Sequence, residues 1–249
     1  MTFWDHLEEL RGCLIRIVIA LAVSAVACFC FKNLLFDIVL APKSSDFVTY
    51  RLVERVAGVR QDFNVDLINV DLAQQFLVHM KVALLVGFLI VSPYVLFVLF
   101  RFIAPGLYTN ERRYAVGAAL AGYVMFMLGV ALNYFVIFPL TFRFLGTYQV
   151  DDSVVNHITL TSYISVLLLL SLVMGIVFEL PVLSWLLAKI GVLKAATMSK
   201  VRRYAVVIVL IVSAIITPTG DPFTLMVVAL PIYLLYEFSI FVVRKTEKI

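Results

Sequence analysis

The sequence predicts an all-α integral membrane protein with six transmembrane helices, both termini on the interior side, and the last two helices short. Three observations carry that prediction. Residues are 63% hydrophobic and only 14% charged, whereas a soluble globular domain is about half apolar and about a quarter charged. Too little polar surface is available to cover a water-soluble particle. The mean hydropathy is +1.05, and the apolar residues form continuous runs rather than alternating, which selects helices over a membrane β-barrel. Basic residues gather at the ends of those runs, as orientation signals do, so the net charge of +4 is no nucleic-acid footprint.

The runs fall at 12–36, 72–100, 114–139, 161–188, 204–217 and 223–243 of a single membrane domain, 1–249. A span needs roughly 20 residues to cross a hydrocarbon core of about 30 Å. All but the fifth run meet that length. The fifth covers only about 20 Å and requires a thinned or wet bilayer at one end. Six remains the expected number, because Thr217-Pro218-Thr219-Gly220-Asp221-Pro222 is a strong break before the last run.

The first run follows an acidic stretch, Asp5, Glu8 and Glu9. An export signal has a positive start, so the run is expected to stay as a helix. Cys13, Cys28 and Cys30 lie in or beside it and read as packing residues, not a disulfide framework. Segment 41–71 is long and partly apolar, and reads as an outer cap of short amphipathic helices.

With the N-terminus inside, interior segments carry Arg11 and Arg16, then Arg101, Arg112 and Arg113, then Lys189, Lys194, Lys200, Arg202 and Arg203, and finally Arg244, Lys245 and Lys248. Exterior segments are mixed or acidic: Lys43, Arg51, Arg55 and Arg60 stand against Asp46, Glu54, Asp62, Asp66 and Asp71. That asymmetry predicts a multi-pass protein with both termini cytoplasmic. Prolines 93, 139, 181 and 231 predict a curved, grooved bundle.

Glu179 is the site the residues alone point to. It stands inside the fourth apolar run, where an ionised carboxylate costs several kcal/mol and so faces a cavity, finds a partner or stays protonated. Pro181 deprives the Val177 carbonyl of its helical donor and opens a polar spot there. Asp221 reads as a turn aspartate that caps the last helix. His79, Lys81 and His157 read as loop-edge or snorkelling residues. No His/Cys/Asp set has metal-ligand spacing and no glycine loop could cradle a nucleotide, so neither metal nor cofactor is expected.

Between the second and third runs, Pro105-Gly106 is a turn signal, followed by Glu111, Arg112 and Arg113 before the chain turns apolar again. Four stretches together resemble the TatC family of the twin-arginine protein translocase. They are His6-Leu7-Glu8-Glu9-Leu10-Arg11, then Phe102-Ile103-Ala104-Pro105-Gly106-Leu107-Tyr108 with Glu111-Arg112-Arg113, then Phe178-Glu179-Leu180-Pro181, and Thr217-Pro218 with Asp221. They occur in the family's order and cover nearly the whole chain.

The resemblance implies a cup-shaped receptor in the cytoplasmic (inner) membrane of a prokaryote. It would bind Arg-Arg signal peptides of folded cargo, with no catalytic centre, and the proton-motive force would drive export. Carried over residue by residue, signal-peptide binding falls to Glu9, Phe102, Glu111, Arg112 and Arg113. Glu179 and Asp221 become contact points for single-span TatA/TatB-type subunits, and Pro105 and Gly106 shape the loop. Other implied partners are further copies of the chain in a homo-oligomeric receptor complex and membrane lipid, with no nucleic acid. One position departs from the family: a glutamine often follows the aspartate there, and Leu225 stands at the matching place here. The chemistry fits, since guanidinium donates two parallel hydrogen bonds to a carboxylate where lysine offers a point charge. Glu111 could equally pair locally with Arg112 or Arg113.

The rival reading is a proton-coupled small-molecule transporter in which Glu179 titrates. The single deep carboxylate, the missing internal repeat and the short fifth span weigh against it. An intramembrane hydrolase would need a Ser/His or paired-Asp constellation at depth, which the runs do not supply.

Overall fold

The computed structural model describes residues 3–57, 65–103, 112–151, 153, 156–217 and 220–247. The chain runs α1 (Phe3–Phe29), α2 (Lys32–Leu40), α3 (Val48–Ala57), β1 (Leu67–Ile68), α4 (Gln74–Ile103), α5 (Arg112–Leu132), α6 (Phe138–Thr147), β2 (Ile158–Thr159), α7 (Leu160–Val177), α8 (Leu180–Lys189), α9 (Ala195–Lys200), α10 (Arg202–Ile216) and α11 (Pro222–Thr246). Among the described residues, five stretches are long and apolar enough to cross a membrane: Leu10–Phe29, Gln74–Leu99, Gly117–Thr147, Leu160–Lys189 and Pro222–Thr246. The expected pair of short final helices is only half present. α10 has 15 residues, whereas α11 has 25, because it starts directly after the break and runs on to Arg244 and Lys245.

Three of the apolar runs are interrupted inside. Run 12–36 is divided between α1 and α2 by a turn at Cys30–Phe31. The fourth is divided at Phe178–Glu179, two residues before Pro181. The third continues through one π-helical turn, Asn133–Ile137, into α6. Such a turn inserts a residue into the ladder, and Pro139 just beyond it cannot donate to Phe135.

Helices α1 and α4 lie antiparallel. Gly87 faces Ala25 and Phe29 meets Phe76 and His79, so the α4 number falls as the α1 number rises. Gly87 is required there: a Cβ would stand 2.8 Å from the Ala25 backbone nitrogen. The Ser24 hydroxyl donates to the Gly87 carbonyl at 3.0 Å in the space left. Gly129 permits the same approach of α5 to the Met174 carbonyl of α7. Fully buried Val82, Phe138 and Ile164 of α4, α6 and α7 belong to one apolar cluster, and Leu170, Met174 and Val228 of α7 and α11 to a second, so α7 contributes to both.

At one end of the bundle, the cap end, α2 and α3 fold over α6 and α7. Phe47, Thr49 and Tyr50 of α3 and the turn before it are buried while Val48, Arg51 and Leu52 are exposed, an amphipathic pattern; residues 58–64 of segment 41–71 lie outside the described residues. β1 pairs with β2 in parallel, Leu67 opposite Ile158 and Ile68 opposite Thr159, which ties the cap to the start of α7.

Candidate functional site

Glu179 sits at the joint between α7 and α8. The helix ends with the Phe178 N–H on the Met174 carbonyl at 3.0 Å, and the Glu179 N–H turns to the Ile176 carbonyl at 3.0 Å. Helix α8 then starts on the Glu179 carbonyl, which accepts from the Leu183 N–H at 2.9 Å. The side chain is 8% exposed, and neither carboxylate oxygen has a hydrogen-bond partner among the described residues. It lines a cavity of about 430 Å³ with Phe88, Ser92, Leu96, Phe126, Ile176 and Leu183.

The cavity wall is otherwise apolar by construction. Pro93 leaves the Leu89 carbonyl without its helical donor, and the Ser92 hydroxyl supplies one at 2.7 Å. Ser92 is therefore spent inside its own helix. Phe126 stands edge-on to Phe88, centroids 5.8 Å apart, and closes the wall between α4 and α5. An unpaired carboxylate in such a pocket has two options, a proton of its own or a donor brought by something that enters.

The loop residues Pro105, Gly106 and Glu111 lie outside the described residues. Of the others, Glu9 is in α1, Phe102 is near the end of α4, and Arg112 and Arg113 open α5. The helix register brings these positions to one level. From Ala25 back to Glu9 along α1 is about 24 Å, and from Gly87 on to Phe102 along the antiparallel α4 is about 22 Å. From Phe126 back to Arg112 along α5 is about 21 Å, matched by Phe88 to Phe102. This loop end is opposite the cap.

Asp221 is at the cap end instead, a separate location. Its carboxylate caps α11, accepting from the Thr224 N–H at 2.7 Å, with Pro222 at the first helical position. Phe223 stacks on Phe144 of α6 at 4.3 Å. His79 is no loop-edge residue: it is 8% exposed and stacked on Phe29, centroids 3.9 Å apart. Phe29 of α1 and Phe36 of α2 place their rings against it. Lys81 and His157 are exposed.

Sequence reasoning missed Asn133. It is fully buried, and its amide donates to the Ser171 hydroxyl at 2.8 Å, with the Leu167 carbonyl at 3.4 Å. A lone asparagine in an apolar run was the available signal; its partner across two helices was not visible in one chain of letters.

The sequence profile of TatC, the Sec-independent protein translocase protein, matches residues 5–231. The chain belongs to the TatC family. Among TatC relatives, those of Blattabacterium sp. subsp. Periplaneta americana (strain BPLAN) and Aquifex aeolicus (strain VF5) are each 33% identical, each alignment covering 97% of this chain and 94% of the relative. A crystal structure of the twin arginine translocase receptor TatC superposes with a TM-score of 0.78 at 32% identity, covering 97% of this chain and 99% of the other. As a TatC-family chain, this is a multi-pass membrane protein of the Sec-independent protein translocase, a protein-transport system. That assignment does not favour the small-molecule transporter reading.

Proposed function

We propose that this chain is the receptor subunit of its translocase. The loop end reads the paired arginines of signal peptides on folded cargo, and single-span partner subunits are then recruited. One observation carries the reading: the antiparallel register of α1, α4 and α5 brings the helix positions of Glu9, Phe102, Arg112 and Arg113 to one level. Glu111 lies one residue before α5 in the chain. Two carboxylates at one membrane face suit two guanidiniums, each of which donates a fork of hydrogen bonds that lysine lacks.

In this reading the loop end is cytoplasmic. Arg112, Arg113, Lys189, Arg244 and Lys245 lie at helix ends there, as the positive-inside rule requires. Both termini are then cytoplasmic, and α10 with its 15 residues makes the fifth of six crossings through a thinned bilayer. The domain is one six-helix unit, 1–249, that works by binding, without catalysis or cofactor. Glu179, unpaired in its cavity, awaits a polar group from cargo or partner, and the proton-motive force supplies the energy.

A photo-crosslinker at Thr109, with cargo peptides carrying Arg-Arg or Lys-Lys, tests the receptor reading in membranes. Labelling that needs Arg-Arg and is lost in Glu111→Ala is the expected result. Equal labelling of both peptides would remove this loop as the reader.

A further inference from the structure

Arg16 stands inside the first apolar stretch, on a helix with one packed side. Helix α1 lies along α4, and of Leu10–Phe29 only Cys28 is buried. Arg16 is exposed on the outer surface, and Ile19, Val23 and Val26 follow it at helical spacing, 57%, 66% and 68% exposed. In a membrane protein a face so apolar is covered by hydrocarbon. Arg16 is six residues beyond Leu10, so its Cα lies about 9 Å inside the stretch. A guanidinium left at that depth is costly.

The side chain runs back along its own helix. Helical side chains lean toward the N-terminus, and one Arg16 Nη nitrogen lies 3.8 Å from where a Cβ on Gly12 would stand. Gly12, one turn earlier, leaves that path open. The charge thereby reaches the level of Gly12, only about 3 Å beyond Leu10.

No carboxylate meets it there among the described residues. Helix α4 carries no Asp or Glu along its length. On α1, Glu8 is a further turn toward the loop end and its side chain leans away; the Glu9 side chain lies outside the described residues. Arg16 makes no hydrogen bond or ion pair among the described residues.

We propose that Arg16 binds the phosphate of a bilayer phospholipid whose acyl chains run over Ile19, Val23 and Val26. A phosphodiester offers the pair of acceptor oxygens that a guanidinium fork fits, and it is the anion that a lipid-covered helix face meets at headgroup level. That this is the inner leaflet rests on the orientation proposed above; the site itself does not.

The test uses the full chain, delipidated in a maltoside detergent that has no phosphate. It is doped with phosphatidylglycerol or with diacylglycerol of identical acyl chains, each carrying a diazirine next to the glycerol. Labelled peptides are mapped by mass spectrometry. Phosphatidylglycerol is expected to label the segment from Gly12 to Ile19 about tenfold more than diacylglycerol does. Arg16→Leu abolishes that preference while Tm and the labelling of other helices hold. Gly12→Leu blocks the path and loses the preference with Arg16 intact; Gly12→Met serves if Gly12→Leu does not fold. Equal labelling by the two probes in the wild type means that the arginine only reaches water, and overturns the proposal. A preference that survives Arg16→Leu does so too. So does a photo-crosslinker at Ile15 that, in native membranes, captures protein only when Arg16 is present.

Discussion

The cap end and the Glu179 cavity treat their buried polar groups in opposite ways. At the cap, three tyrosines and a threonine spend their hydroxyls on backbone carbonyls, although the Thr141 hydroxyl there has no partner among the described residues. The Thr49 hydroxyl donates to the Phe135 carbonyl that Pro139 leaves open. Tyr50 lies 3.0 Å from the Pro42 carbonyl and 3.1 Å from that of Pro139. Tyr163 donates to Val39 and Tyr134 to Ile38, at 3.1 and 2.6 Å. Around Glu179, by contrast, a carboxylate stands beside Phe88 and Phe126 with no hydrogen-bond partner among the described residues. A surface built to stay shut satisfies its polar groups internally, whereas one built to receive something leaves a group unsatisfied.

The comparison is tested most severely where the frame itself is strained. Gly87→Leu drives a side chain into the Ala25 backbone, 2.8 Å from where its Cβ must sit. It should cost about 3 kcal/mol or more and separate α1 from α4, read as lost monodispersity and a lowered Tm in detergent.

Two buried polar residues then sharpen the contrast. Asn133→Ala breaks the bond to Ser171 and should destabilise by about 1–3 kcal/mol. Glu179→Gln has no hydrogen bond to lose in the isolated chain, so thermal unfolding should move by less than about 1 kcal/mol while export of Arg-Arg cargo falls. Equal destabilisation by the two would mean that Glu179 is a structural residue.

At the cap, Tyr50→Phe should cost about 1 kcal/mol. Burial raises the Tyr50 hydroxyl above its ordinary 10.0, and the Arg143 charge offsets that only in part. The neutral form is therefore the folded one. Its contribution is whole below the unfolded value near 10 and declines as pH rises toward the higher folded value. Ultraviolet titration of the phenolate should show this tyrosine ionising after the exposed ones. The smallest effect belongs to Arg202→Ala, a pair with Glu237 whose side chains are 47% and 31% exposed, worth about 0–1 kcal/mol in stability.

Much of this was legible in the letters. The apolar runs, the break at Pro218–Pro222, the amphipathic cap and the deep carboxylate all follow from local composition and spacing. The interruptions were less so. Pro181 marks the α7–α8 joint, but the turn at Cys30–Phe31 and the π-helical turn at Asn133 carry no proline or glycine of their own. They exist because aromatic rings and a buried amide find partners on other helices.

The sequence by itself determined the class, the approximate spans and the residues that cannot rest comfortably in lipid, because hydrophobicity and charge act residue by residue. Tertiary structure decided which of those residues are satisfied. Asn133 meets Ser171, Ser92 turns back onto Leu89, and Glu179 meets nothing among the described residues. It also decided that Glu9, Phe102 and Arg112, scattered over more than a hundred positions, share one level. Antiparallel packing across Gly87 and Phe126 sets that register, and a contact between helices depends on both surfaces at once.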